Sequence, residues 1–279
     1  MTLNPAGLAH FTHWVTTLPP RPLPRTVTPI AGEYHHGYLA RLADANHLTF
    51  SELAGALSDT AAITTCGTLR WKRHEQERLA IASSQPLDRI TRLCWPDPAA
   101  WLRDIDGFNR TLRPACRRCT ARHDITGPVP CQLPPHQVLC RRHRIWTGPA
   151  ARSHDQQLDI SPLPEIARAH RRHLALVHRY QRHHVETAVS EATSALYHAI
   201  RDGTRIAGQQ RRLHHLAPGT WQQALTTAIT PRPWRPDEQP PHPAVEIALY
   251  PDVIWITERI LRTRHQPASP EHDQMAHKQ

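Results

Sequence analysis

The sequence predicts a mainly α-helical protein, in which a short-helix N-terminal domain ends in a cysteine-rich module and a smaller helical domain follows. Apolar residues recur at helical spacing through much of the 279-residue chain. The 27 prolines cluster between those segments, where they mark connections and helix starts. We therefore divide the chain into a proline-rich entry segment (1–33), a helical domain (34–148) that ends in the module (110–148), a helical C-terminal region (149–263) and a disordered tail (264–279).

Two short helices open the N-terminal domain. The first is predicted over residues 34–48, and Asn46 suits its C-terminal end. The second is predicted over residues 49–57, where Thr49 or Ser51 can cap the first turn.

Residues 75–93 predict a helix, a turn and a second helix that Pro86 opens. We expect the apolar residues of the pair to face inward, and these are Leu79, Ile81, Ala82, Leu87, Ile90 and Leu93. Such a helix-turn-helix can place its second helix in the major groove of DNA. Plain core packing is the alternative interpretation of the same pattern.

The C-terminal region begins with a strong helix start at Asp159–Glu165, which has proline at the first turn. This helix is predicted to run to about His183 with an inward stripe of Ile166, Ala169, Leu174, Val177 and Tyr180. Further helices are predicted at 96–108, 185–200, 218–229 and 244–263, with a proline-rich linker at 230–243.

The cysteine-rich module contains two matching halves. Cys116-Arg-Arg-Cys119 is followed, after twenty residues, by Cys140-Arg-Arg-His143. Two residues between ligands allow a tight turn to direct both side chains at one metal ion, and three thiolates with one imidazole suit tetrahedral Zn²⁺. The four residues fill every position of a structural zinc site, which would replace the apolar core that so short a segment lacks.

Two other sets of residues compete for a metal. Cys131 and His136 lie between the halves of the module and could replace one of its ligands. The chain also holds 22 histidines, among which His170 and His173 are spaced to share a helix face. We expect the histidines outside the module to be solvated surface residues.

Arginines cluster on the module and suggest an anionic partner. The net charge of the chain is +10, although a GC-rich genome would produce the same excess of arginine. Arginines beside a zinc site also offset the negative charge of its thiolates. The functional interpretation is contact with DNA or another acidic partner, for which the candidates are Arg113, Arg117, Arg118, Arg122, Arg141, Arg142 and Arg144.

Residues 18–148 resemble the TniQ/TnsD family of transposon target-selection proteins. The resemblance is carried by LPPRPLP at 18–24, by GYLARLADAN at 37–46, by the helix pair up to Leu93 and by the module that ends at His143. It implies short helices packed on zinc-bound knuckles. It also implies an adaptor that recognises a target, as DNA or through a guide complex, and engages a transposon AAA+ ATPase that recruits the transposase.

Other functional classes lack their sequence motifs. The chain has no Gly-Lys-Ser/Thr phosphate loop, no His-Glu-x-x-His and no Gly-x-Ser-x-Gly, so we expect no enzymatic activity. It has no signal peptide and no apolar run of membrane-spanning length, so we expect a cytoplasmic protein with no membrane partner. A stand-alone zinc-stabilised DNA-binding regulator and a protein–protein scaffold remain as alternatives to the adaptor.

Overall fold

The computed structural model describes residues 21–58, 71–94, 112–204, 207–220, 222 and 242–265, and the described part is mainly helical. The chain divides into two compact units, Met1–Pro134 and Pro135–Gln279. Val138, Leu139 and Trp146 pack in the apolar core of the second unit.

Four helices form the main core of the first unit: α1 (His35–Ala45), α2 (Phe50–Leu57), α3 (Arg73–Ser83) and α4 (Leu87–Cys94). Their inward residues are fully buried and include Tyr38, Leu39, Leu42, Leu79 and Ile90. Burying this apolar area stabilises helices that are too short to persist alone in water.

The predicted ends of the first two helices are confirmed. Asn46 caps the C-terminus of α1, where its side-chain amide donates to the carbonyl oxygen of Leu42 at 2.8 Å. Thr49 caps α2 through a reciprocal pair of hydrogen bonds with Glu52, so of the two candidate caps Thr49 has this role.

The helix pair α3–α4 is present, and Ser84 makes the turn in the left-handed conformation. Leu79, Ile90 and Leu93 are buried as predicted. Ile81 is not, because its side chain is 42% exposed. The inward face of α3 holds Leu79, Ala80, Ala82 and Ser83 instead. The prediction for Ile81 was therefore wrong.

A small hairpin completes the first unit. Strand β1 (Leu112–Pro114) pairs antiparallel with β2 (Pro130–Gln132), and the short helix α5 (Arg117–Ala121) lies between them in sequence. The amide of Tyr34 donates to the carbonyl of Pro130 at 2.8 Å and joins β2 to the start of α1. Gly37 permits this approach, since a Cβ there would lie 2.8 Å from the ring of Pro130.

The second unit begins with a two-stranded turn and continues as helices. Strand β3 (Leu139–Cys140) pairs with β4 (Ile145–Trp146), and the helices are α6 (Pro164–Tyr180), α7 (Arg182–Arg201), α8 (Ala207–Leu216) and α9 (Pro243–Arg264). Trp146 anchors the turn, because its ring is fully buried and its indole N–H donates to Glu246 of α9 at 3.0 Å. The helices pack around α9, whose buried residues form two apolar clusters with the other three.

Helix α6 starts as predicted, with Pro164 in its first turn and Glu165 just inside it. Its buried face was predicted only in part. Ile166 and Ala169 face inward, but His170, His173 and Leu176 complete the face, whereas Leu174, Val177 and Tyr180 are only half-buried. The expectation that these two histidines are solvated was wrong. The helix also ends earlier than predicted, because Gln181 takes a positive φ of 63° and interrupts the path into α7.

Several predictions lie wholly or largely outside the described residues. These are the proline-rich entry segment before residue 21, the helices at 96–108 and 218–229, the linker at 230–243 and the tail after residue 265. None of the helices that the structure describes combines the length and the apolar character needed to cross a membrane.

Candidate metal centre

The first half of the site is the start of helix α5. Cys116 precedes the helix, and its carbonyl oxygen accepts from the amides of Cys119 at 2.8 Å and Thr120 at 3.1 Å. This closed turn holds the two cysteines three residues apart on one face. Cys116 is buried and Cys119 is half-buried, so the pair lies at the edge of the hairpin core.

The second half of the site is the turn between β3 and β4. The amide of Arg144 donates to the carbonyl of Cys140 at 2.8 Å, and Arg144 takes a positive φ of 51° to close the turn. The Cys140 sulfur lies 3.7 Å from Nδ1 of His143. A tetrahedral zinc ion with ordinary bond lengths would hold a sulfur and a nitrogen about 3.6 Å apart. The turn therefore already has the spacing that such an ion requires.

Cys116, Cys119, Cys140 and His143 form one cluster. Their ligand atoms all lie within 4.8 Å of one another, and no other such group of three or more occurs among the residues that the structure describes. The cluster can hold a metal ion, and three thiolates with one imidazole are compatible with zinc. Four protein donors complete a tetrahedral shell, which leaves no position for a metal-bound water.

Cys131 and His136 are not part of this cluster. Cys131 lies in β2 with 0% exposure and packs against Ile30, Ala115 and Val129. Burial raises the pKa of its thiol to about 12, and the nearby Glu33 carboxylate adds to the increase. A thiol that stays protonated is a poor metal ligand and behaves as a small apolar side chain.

The arginines assigned to the module divide into two groups. Arg113 is only 3% exposed, and its guanidinium donates to the carbonyls of Leu133 at 3.1 Å and Pro134 at 2.8 Å. It braces the end of the hairpin, so we remove it from the candidate contacts. The other six are at least partly open to solvent: Arg117, Arg118, Arg122, Arg141, Arg142 and Arg144.

One group of candidate contacts was not predicted from the sequence. Helix α6 exposes Arg168, Arg171 and Arg179 on its outer face. Their helical spacing is visible in the sequence, but only the burial of the opposite face shows that they point to solvent.

The helix pair offers a further polar surface. Asp88, Arg89 and Arg92 of α4 are exposed, whereas Ile90 and Leu93 hold the helix against the core. Arg92 pairs with Asp88 at 2.6 Å and Arg89 donates to Gln85 at 3.0 Å. The outer face of α4 is therefore polar and accessible to solvent.

Comparison with known proteins identifies no relative: no family model, no curated protein and no solved structure matches this chain.

Proposed function

We propose that this chain is a non-enzymatic adaptor in transposition target selection, which links target DNA or a guide complex to a transposon AAA+ ATPase. The observation that carries the proposal is the closed cluster of Cys116, Cys119, Cys140 and His143 with exposed arginines beside its ligands. This arrangement is typical of a zinc-stabilised binding module, and it matches the end of the segment that resembles the TniQ/TnsD family.

The metal in this proposal is a structural Zn²⁺. Zinc prefers the sulfur and nitrogen donors that the cluster offers, whereas Mg²⁺ and Ca²⁺ prefer oxygen. The hairpin around the first two cysteines has a small apolar core of Ile30, Ala115, Val129 and Cys131. So small a core gives little stability alone, and metal binding would add folding free energy to it.

The arginines on the two turns are the proposed contacts to DNA or the partner. A guanidinium forms paired hydrogen bonds with a phosphate or carboxylate, so one exposed arginine can supply a strong oriented contact. Arg141 and Arg142 lie between the ligands of the second turn and are both exposed. Their double substitution by alanine should weaken DNA or partner binding at low salt while the zinc content stays constant. Unchanged affinity would show that these arginines only offset the negative charge of the nearby thiolates.

A stand-alone DNA-binding regulator is the second candidate function. The polar outer face of α4 favours it, because a helix-turn-helix together with a basic zinc module would be sufficient to bind DNA without an ATPase. A protein–protein scaffold with an acidic partner is the third candidate.

A pull-down from the native host separates these functions. The tagged full-length protein is recovered with and without nuclease, and its partners are identified by mass spectrometry. The adaptor proposal predicts an AAA+ ATPase or a transposase that remains bound after nuclease treatment. If all partners disappear after nuclease treatment, the adaptor proposal is wrong and the stand-alone regulator is favoured. An acidic partner unrelated to transposition would favour the scaffold.

A further inference from the structure

One face of helix α6 is exposed and basic from Arg168 to Arg179. The opposite face is buried through Ile166, Ala169, His170, His173 and Leu176. The outward positions that follow the first turn are all exposed, and they are Arg168, Arg171, Arg172, Ala175, His178 and Arg179. We call these six residues the α6 stripe.

The stripe is continuous because its members recur at every turn of the helix. Residues three or four apart lie on the same side of an α-helix, so Arg168, Arg171 and Ala175 form one row that His178 and Arg179 extend. At 1.5 Å per residue, Arg168 and Arg179 lie about 16 Å apart along the axis. Arginines thus occupy both ends of a surface as long as several phosphates of a nucleic-acid strand.

Carboxylates do not neutralise most of the stripe. The acid of α6 is Glu165, which is half-buried and pairs with Arg211 of α8 at 3.3 Å. Arg172 pairs with Glu258 of α9. Arg168, Arg171 and Arg179 form no ion pair with any residue in the described ranges, and the guanidinium of Arg179 rests over the ring of Tyr180 at 5.1 Å.

Some exposed arginines elsewhere in the described chain form ion pairs, although others, such as Arg122 and Arg152, do not. Arg73 pairs with Glu77, Arg262 pairs with Glu258, and Arg264 pairs with Glu191. What distinguishes Arg168, Arg171 and Arg179 is that they share one face of a single helix, where their guanidiniums are accessible to an external anion.

The chemistry of the stripe favours a phosphate backbone over an acidic protein. Stable protein interfaces are centred on large apolar or aromatic anchors. The stripe offers only Ala175 between its charges, and the exposed large apolar residues of the described chain, Ile81 and Trp255, lie on α3 and α9. A single strand is also a poor fit, because bound single strands stack their bases on exposed aromatic rings and Tyr180 is half-buried.

We propose that the α6 stripe binds the phosphate backbone of duplex DNA, with Arg168, Arg171 and Arg179 as its main contacts. The choice of a DNA duplex over an RNA duplex rests on the proposed function. The residues are different from those of the metal module, so this surface is a second contact site. Phosphate contacts of this kind position a protein on a duplex without reading its sequence.

The test is a matched pair of triple variants of the full-length protein. R168Q/R171Q/R179Q removes the unpaired arginines, and R73Q/R262Q/R264Q removes three arginines that a carboxylate already neutralises. Both variants lose the same charge, and glutamine keeps a helix propensity close to that of arginine. Circular dichroism and zinc content check that both remain folded. Binding to a 30-base-pair DNA duplex is followed by fluorescence anisotropy between 50 and 300 mM salt.

We expect the stripe variant to bind the duplex about ten-fold or more weakly at 100 mM salt. The slope of log K against log salt should fall by about 2 to 3, since each lost phosphate contact contributes about 0.9. The control variant should change affinity less than two-fold. Equal weakening in both variants, or an unchanged salt slope in the stripe variant, would overturn the proposal and leave only a general effect of net charge.

Three competitors test the partner. They are a single-stranded DNA of the same length, an RNA duplex and polyglutamate. If the stripe variant loses more affinity for any of these than for duplex DNA, the assignment to duplex DNA is contradicted. The adaptor proposal fails in a different experiment. If the chain binds duplex DNA through α6 but no ATPase is recovered in the pull-down, this inference stands and the adaptor proposal is wrong.

Discussion

Cys119 and Cys131 show how two cysteines of one hairpin acquire different chemistry. Cys119 lies in a tight turn with its sulfur beside three other donors, whereas Cys131 packs in an apolar strand. The Cys3His cluster could be predicted from the sequence because Cys-x-x-Cys and Cys-x-x-His are local patterns that a single turn satisfies. The absence of Cys131 from the cluster could not be predicted, since it depends on which face of β2 meets Ile30 and Val129.

Cys119→Ser should abolish stoichiometric zinc binding and lower the melting temperature, because the hydroxyl is a weak ligand and three donors remain. Cys131→Ala is the matched control, as it removes a buried thiol outside the cluster. The control should keep its zinc and lose about 1 kcal/mol of stability through the small cavity. Metal analysis and thermal melting measure both. Full zinc content in Cys119→Ser would show that the ligand set is wrong.

His35 is a buried histidine that the sequence did not distinguish from the exposed ones. Its side chain is 3% exposed, and neither ring nitrogen has a hydrogen-bond partner among the described residues. Burial, followed by the charge of His36, lowers its pKa to about 3. The pKa in the unfolded chain is about 6.5, so the unfolded state binds the extra proton between those values. Stability is therefore full above pH ~6.5 and is lost as the pH falls towards 3.

His35→Phe should reduce this loss, because a neutral ring keeps the packing and takes up no proton. At pH 5 the wild-type histidine should cost about 2 kcal/mol of folding free energy relative to pH 7.5. Urea unfolding of both proteins at the two pH values measures the difference. Acid release of zinc affects both proteins alike and cancels in the comparison. The same acid-induced loss of stability in both would contradict the role of His35.

At the scale of elements, the helix starts were predicted better than the helix faces. Thr49 and Pro164 act locally, so their positions could be read directly from the sequence. The inward placement of His170 and His173 depends on α9, where the hydroxyl of Tyr250 lies 2.9 Å from Nδ1 of His173. A polar residue with a distant partner is not visible in apolar periodicity, and this is why the face of α6 was predicted incompletely.

Helix α9 contains Pro251, which lacks an N–H and interrupts the hydrogen bonding of the helix. Arg212 of α8 supports this turn. It is 6% exposed, its Nε donates to the carbonyl of Ala248 at 2.7 Å, and its guanidinium pairs with Asp252. This side chain therefore ties α8 to the turn of α9 that contains Pro251.

Arg212→Leu should lower the free energy of unfolding by about 2 to 3 kcal/mol, because Asp252 loses its cationic partner and keeps only the Gln209 amide, and the Ala248 carbonyl loses the Arg212 hydrogen bond. Arg211→Leu is the neighbouring control. Arg211 is exposed and its pair with Glu165 is open to solvent, so its loss should cost less than about 1 kcal/mol. Chemical denaturation compares the two. Similar losses would show that the α8–α9 contact is apolar and does not depend on Arg212.

For the whole molecule, the sequence predicted a mainly helical chain with a Cys3His cluster, and the structure confirms both features. Trp146 follows the turn that holds Cys140 and His143, and it packs on Tyr250 at 5.0 Å between ring centroids. A composition shift marks linkers, but it does not show which core a single tryptophan joins. The adaptor function and its DNA partner remain proposals that rest on the resemblance and on exposed arginines.

The metal content of the purified full-length protein tests the central claim most directly. Zinc is quantified by mass spectrometry in protein prepared without added metal, and thermal melting is followed before and after a strong chelator. We predict one zinc ion per chain and a lower melting temperature once the metal is removed, with recovery when zinc returns. Protein that holds no stoichiometric zinc, and whose melting the chelator does not change, would contradict a zinc-stabilised module and the functions built on it.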